Sequence, residues 1–218
     1  MSKDITRYKT EVICPSCGLR DKFIMHTLID TAKDPDAENK IFQGTYFTHV
    51  CRRCHDEENI TYSCMYHDGN RKLLIGFADS EKDLEEMRLT LNGQYHRDQL
   101  DDVLQKWMKI CTVRLVKSEY QLQEKFLIAH FDMDDRVIEL ARYTVKQELL
   151  KSRDDITGLY FNTTEDGYGF AIGMAEGLEG TIPFSKEMYE EIKEKYHDLL
   201  EHDTSIEIDE DWAEEHIL

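Results

Sequence analysis

The sequence predicts an α+β fold: an N-terminal zinc ribbon with β-hairpins, central helices, and a C-terminal hairpin plus helix. Three observations lead there. Two Cys-x-x-Cys pairs, Cys14-Pro15-Ser16-Cys17 and Cys51-Arg52-Arg53-Cys54, each follow strand-like residues. The first third otherwise alternates apolar and polar residues, and the stretch from 80 to 150 repeats its apolar residues at helical spacing. With 218 residues, 40% hydrophobic, and only 3 Pro and 11 Gly, the chain is long and apolar enough to bury a core.

Each element has a local reason. Glu11-Val12-Ile13 leads into the first knuckle and Gly18 follows it, while Tyr46 to Val50 alternates into the second. The 33 residues between the pairs exceed the ~15 to 20 of the commonest finger spacing, so the insert must carry structure of its own. Asn59 to His67 and Lys72 to Phe77 flank the turn sequence Asp68-Gly69-Asn70-Arg71, which predicts a hairpin. Ser80 opens a helix carrying Leu84, Met87 and Leu91 and ending at Asn92-Gly93. A second helix, Asp98 to Lys109, aligns Leu100, Val103, Leu104, Trp107 and Met108; a strand follows at 110–116. Ser118 opens a helix to Phe131 with Tyr120, Leu122, Phe126, Leu127 and His130 on its packed side. Asp132 to Asp135 cap a long helix with Val137, Ile138, Leu140, Ala141, Val145 and Leu149 inward. Beyond a boundary near Lys151 to Asp155, Leu159 to Asn162 and Tyr168 to Met174 form a second hairpin around Glu165-Asp166-Gly167. A helix then starts at Ser185, Ser205 to Ile208 can add a strand, and Asp209 to Leu218 are expected as a mobile or partner-ordered tail. The domains are thus 1–150 and 151–218.

The two cysteine pairs carry the chemistry. A two-residue spacer lets a tight turn aim both thiolates at one tetrahedral Zn2+, so Cys14, Cys17, Cys51 and Cys54 form a closed four-sulfur shell for one structural zinc per chain. A redox dithiol is normally a single pair at a helix start after a strand, and disulfides do not persist in a reducing cytosol; both readings, and iron, remain the alternatives. Cys64 and Cys111 lie in apolar strand patterns and read as small core residues. His49, His55 and His67 are close in sequence but suggest a second metal only weakly. Tyr66-His67-Asp68 and Asp134-Asp135-Arg136 are the best polar clusters for catalysis. Adjacent strand residues point to opposite faces, so His67 and Asp68 do not pair readily, and the aspartates suit a helix cap. With no phosphate-cradling loop, His-Glu-x-x-His or Gly-x-Ser-x-Gly motif, no catalytic residue and no enzymatic activity are assigned.

Cys14-Pro15-Ser16-Cys17-Gly18, Gly44-Thr45, Met65-Tyr66-His67-Asp68 and Phe131-Asp132-Met133-Asp134-Asp135-Arg136-Val137-Ile138-Glu139 occur in this order. Over residues 11–142 the chain resembles the CpXC domain family of bacteria and archaea. The second pair departs from the family pattern: Arg52 stands where proline is typical, and no glycine follows Cys54. The resemblance implies a zinc-ribbon-containing fold and no particular reaction.

Charge narrows the function. The net charge is −18, and its excess sits late: residues 1–78 hold 11 basic and 11 acidic side chains, residues 151–218 hold 5 and 19. Such a field repels phosphate backbones, which makes nucleic acid an unfavourable ligand for the C-terminal part. No apolar run approaches the ~18 residues of a membrane span, and the N-terminus lacks the apolar stretch of a secretory signal, so a cytoplasmic location is expected. The leading expectation is a zinc-stabilised interaction or regulatory module whose acidic C-terminal region docks a basic protein partner. The second is a ribbon that touches nucleic acid through Arg52 and Arg53, with Arg20, Lys22, Arg71 and Lys72 completing a basic patch.

Overall fold

A computed structural model describes residues 7–94, 100–165 and 167–217, and the fold is α+β. The chain divides into two compact units, Met1–Gln123 and Glu124–Leu218.

In the N-terminal unit, β1 (Arg7–Ile13) and β2 (Arg20–His26) form an antiparallel ribbon whose connecting turn carries the first cysteine pair. β3 (Leu28–Asp30) and the short helix α1 (Ala37–Phe42) fill the long insert. β4 (Thr48–Val50) pairs with β5 (Glu57–Asn59) around the second cysteine pair. The expected strand from Asn59 to His67 is therefore two pieces, because Ile60 to Ser63 break the pairing between β5 and β6 (Cys64–Asp68). β6 and β7 (Leu73–Phe77) make the expected hairpin, with Asp68 Oδ1 accepting from the backbone N–H groups of Asn70 and Arg71 at 2.9 and 3.2 Å. Helices α2 (Glu81–Leu91) and α3 (Leu100–Ile110) precede β8 (Thr112–Val116), and the sheet runs β3-β6-β7-β8 with parallel outer pairs.

Helix α2 starts where Ser80 Oγ accepts from the Asp83 N–H at 3.2 Å. It sits on the sheet at Gly76, where an added Cβ would lie 3.1 Å from a Leu91 methyl of the helix and 3.2 Å from a Leu115 methyl of β8, so a larger residue there requires these side chains to shift. An edge-to-face series, Phe23–Tyr62–Phe47–Phe77 with centroids 6.1, 5.1 and 5.7 Å apart, joins the ribbon to the sheet. Cys64 is buried, as expected; Cys111 is half-buried at the junction of α3 and β8.

In the C-terminal unit, the end of α4 (Glu119–His130) and all of α5 (Asp135–Leu150) are followed by three antiparallel strands, β9 (Ile156–Thr164), β10 (Gly167–Met174) and β11 (Gly177–Pro183). The predicted hairpin is thus a three-stranded sheet. The edge strand β11 is mostly exposed and bears two glycines and a terminal proline, so neither its composition nor its burial signals a strand. Ile128, Val137, Ile138 and Ala141 pack with Leu159, Phe161, Phe170, Phe184 and Tyr189 in one core. This core joins residues from both sides of the boundary that the sequence suggested near Lys151 to Asp155. Helix α6 (Lys186–Lys195) begins at Ser185, as expected, and α7 (His197–His202) follows.

Two C-terminal expectations are corrected. Ser205 to Ile208 form no strand, and residues 209–217 are not a loose tail: α8 (Glu210–His216) is capped by Asp209 and buries Trp212 and Ala213 against Leu140 and Ile208. The apolar Trp212 holds the acidic segment down, and net composition hid it. A correction also applies to α4, where Tyr120 and His130 are exposed while Glu124 and Lys125 are buried. Charged residues can occupy that face because each is paired within the unit. Glu124 accepts from Arg142 at 2.7 Å and from the Phe161 N–H at 3.0 Å; Lys125 donates to Asp135 at 2.5 Å and to the Ile208 carbonyl at 3.2 Å.

Glu139, one helical turn along α5, lies 3.2 Å from Arg142, yet its carboxyl is pushed up to about 7 from its ordinary 4.5. Burial is the main cause, Glu124 and Asp209 add to it, and Arg142 and Lys125 oppose it. The folded chain therefore keeps a proton that the unfolded chain releases between 4.5 and about 7, so this group's contribution to stability falls as pH rises through that window. Glu139→Gln is expected to raise stability at pH 8 by up to ~3 kcal/mol and to change it little at pH 5. Thermal melts at the two pH values check this; an equal change at both would contradict it.

Candidate metal centre

Two strand ends and two tight turns build the site. In the first knuckle the Gly18 N–H donates to the Cys14 carbonyl at 2.9 Å and the Cys14 N–H to the Leu19 carbonyl at 3.0 Å. The second repeats the pattern: His55 N–H to Cys51 carbonyl at 2.9 Å, and Cys51 N–H to Asp56 carbonyl at 2.8 Å. Gly18 has φ +68° and His55 has φ +60°, so the position that favours glycine is filled by a histidine in the same left-handed conformation. The departure from the family pattern after Cys54 leaves the turn intact. Ser16 Oγ donates to Asp56 Oδ2 at 2.7 Å and links one knuckle to the other.

The four sulfurs converge. Cys14 Sγ lies 3.5 Å from Cys54 Sγ, Cys17 Sγ lies 3.6 Å from Cys51 Sγ, and all four lie within 4.8 Å of one another. The cysteines are free thiols, not disulfides. A tetrahedral ion with metal–sulfur bonds of ~2.3 Å spaces its sulfurs by about 3.8 Å, so the cluster fits one ion with small adjustments. Among the described residues this is the group that brings ligand atoms together as a metal shell does. The expected residues Cys14, Cys17, Cys51 and Cys54 are thus assembled by the fold.

Local electrostatics suit a thiolate shell. The backbone N–H groups of Cys54 and Arg53 lower the Cys51 thiol to about 6 from its ordinary 9.0, against the opposing effect of burial. The Arg53 N–H lies 3.5 Å from that sulfur. Cys14, which is buried, is shifted upward chiefly by desolvation. A metal ion reverses that effect by supplying the charge that burial withholds.

The basic patch is largely engaged. Arg52 lies 3.4 Å from Asp21, Arg20 donates to Glu11 at 2.8 Å, and Arg53 donates to the Cys17 carbonyl at 3.4 Å. Arg71 is held by Glu38 and by Asp68.

The other polar clusters take structural and local roles. Asp134 caps α5, accepting from the Arg136 N–H at 3.0 Å, and pairs with the Arg136 side chain at 2.7 Å. Asp135 instead pairs with Lys125. His67 and Asp68 do not pair; His67 Nδ1 lies 3.2 Å from Asp30 Oδ1, a partner 37 residues upstream that parallel pairing of β3 and β6 brings opposite. Sequence spacing gave no signal for Asp30, and only the strand register finds it.

No curated relative and no solved structure matches the chain. No helix among the described residues is long and apolar enough to cross a membrane. The family model described as CpXC protein matches residues 12–142, which is more than half of the chain and contains all four site cysteines. On that match, which includes a four-cysteine cluster close enough to hold a metal ion, the chain belongs to the CpXC protein family.

Proposed function

We propose that this metal-binding protein is a zinc-stabilised interaction module whose C-terminal unit docks a basic protein partner. Zinc is the metal that four thiolates in a closed tetrahedral shell suit best, and such a shell leaves no open position for a reacting water, so the ion's role is structural. The observation that carries the docking reading is charge. Residues 124–218 hold 25 acidic and 9 basic side chains. Six of those nine, Lys125, Arg136, Arg142, Lys146, Lys151 and Arg153, are spent on acidic partners inside the unit. The negative surface that remains includes the exposed Glu187, Glu190, Glu191 and Glu194 of α6. A field of one sign speeds encounter with a basic surface and repels nucleic acid. In the N-terminal unit the engagement of Arg20, Arg52 and Arg71 with carboxylates further favours protein over nucleic acid. The protein is accordingly read as a non-enzymatic, cytoplasmic adaptor.

The test is in-cell cross-linking of the native chain against a variant with Glu187, Glu190, Glu191 and Glu194 all changed to glutamine. A basic polypeptide that cross-links to α6 and falls on the order of tenfold in the variant is expected, since exposed charges each contribute modestly. Undiminished capture by the variant, or the absence of any basic partner, would contradict the docking reading.

A further inference from the structure

The four converging cysteines fall into two couples. Cys14 Sγ contacts Cys54 Sγ at 3.5 Å and Cys17 Sγ contacts Cys51 Sγ at 3.6 Å, so each sulfur is used once and both contacts run from one knuckle to the other. Each couple also joins a more accessible sulfur to a buried one: Cys54 is exposed and Cys14 buried, Cys17 is half-buried and Cys51 buried. An oxidant in solution therefore meets Cys54 and Cys17 first, and behind each of them a second sulfur lies at contact distance. In that arrangement an oxidised cysteine is resolved to a disulfide before it is oxidised further.

Contacts independent of the sulfurs already bring the knuckles face to face. Ser16 Oγ donates to Asp56 Oδ2 and Arg53 donates to the Cys17 carbonyl, and both bonds cross between the knuckles. Backbone hydrogen bonds close the turn within each. A disulfide needs its sulfurs about 2.05 Å apart, so each couple closes by roughly 1.5 Å, a distance that side-chain rotation supplies.

We propose that a two-electron oxidant such as hydrogen peroxide exchanges the metal of this centre for two disulfides, Cys14–Cys54 and Cys17–Cys51, which tie the knuckles together in its place. The inference rests on the zinc reading above, because sulfurs held by zinc are thiolates and hence nucleophiles. In each couple the outer thiolate attacks a peroxide oxygen, the O–O bond breaks, and the departing hydroxide takes up a proton to become water. The inner thiolate then attacks the sulfenic acid so formed; the S–S bond forms, the S–O bond breaks, and hydroxide leaves to become a second water. Two electrons pass from the two sulfurs to one peroxide. After both couples have reacted, no thiolate remains to hold the ion. Bonds within a knuckle, Cys14–Cys17 and Cys51–Cys54, release the metal as well but leave the two ribbons untied.

Peroxide titration of the full chain, purified with its metal, tests this. The readouts are a zinc-sensitive dye, disulfide mapping with peptide fragmentation, and nitrogen-15 NMR of the β1 and β4 amides. Release of about one zinc per chain for about two equivalents of peroxide is expected, with Cys14 joined to Cys54 and Cys17 to Cys51. The oxidised chain is expected to keep its ribbon resonances, whereas the reduced chain stripped of metal by a chelator is expected to lose them. Cys111→Ser is expected to release zinc and form the same bonds, and dithiothreitol with added zinc to restore the starting state. Zinc retained in excess peroxide, sulfinic acids without disulfides, bonds within the knuckles, or ribbon resonances lost on oxidation would each overturn this inference and leave the zinc centre standing. A chain isolated without metal would overturn both.

Discussion

Replacing Cys51 or Cys14 with serine is expected to release the metal and to unfold the ribbon end of the N-terminal unit. Removing one of four converging sulfurs opens the shell, and apparent zinc-binding free energies of roughly 10 to 16 kcal/mol in comparable peptide sites rival the whole stability of a domain, about 5 to 15 kcal/mol. Besides the turn hydrogen bonds, the knuckle tips are tied by exposed contacts, the link between Ser16 and Asp56 and the bond from Arg53 to the Cys17 carbonyl, which contribute modestly. Elemental analysis and thermal melting of purified variants check the outcome: about one metal per chain lost, with a collapse of ribbon structure. Cys111→Ser is the control and is expected to keep its metal, because its sulfur is outside the cluster. Full metal content in Cys51→Ser would contradict the four-sulfur shell.

Trp212→Ala is expected to destabilise the C-terminal unit by ~3 to 5 kcal/mol, the range for emptying a buried aromatic site. Trp212 is 5% exposed, packs with Leu140, Ile208 and Ala213, and donates from Nε1 to Asp203 Oδ1 at 3.3 Å. For a unit of this size each kcal/mol moves Tm by about 4 to 8 °C, so the loss is readily seen by calorimetry. An unaltered melting temperature would mean that residues 209–217 are the loose tail that their acidic composition suggests.

Local signals are the ones a sequence displays. Both knuckles, the hairpin at Asp68 to Arg71, and the helix starts at Ser80 and Ser185 were legible because a turn or a cap is specified within four or five residues. The stripe of α5 was legible for the same reason, its period being set by the helix itself. Edge strand β11 was not, since Gly177, Gly180 and Pro183 look like loop residues until β10 supplies the pairing. Short α1 and α7, each of six residues, carry too few turns for a period to show. Long-range pairing hid the rest. Glu124 and Lys125 read as solvent-facing until Arg142 and Asp135 are placed beside them, and His67 found its carboxylate in Asp30, not in its neighbour. The four cysteines that converge were all legible, because a two-residue spacer repeated twice leaves few chemistries open. The left-handed backbone of His55 was not, since the sequence there carries no glycine to mark it.

X-ray absorption at the zinc edge on the intact protein, purified without added metal, tests the central claim most directly. Four sulfur neighbours at ~2.3 Å and no oxygen or nitrogen neighbour are expected for zinc held by Cys14, Cys17, Cys51 and Cys54. A mixed shell with a water oxygen, or no zinc signal at all, would contradict a closed structural zinc site.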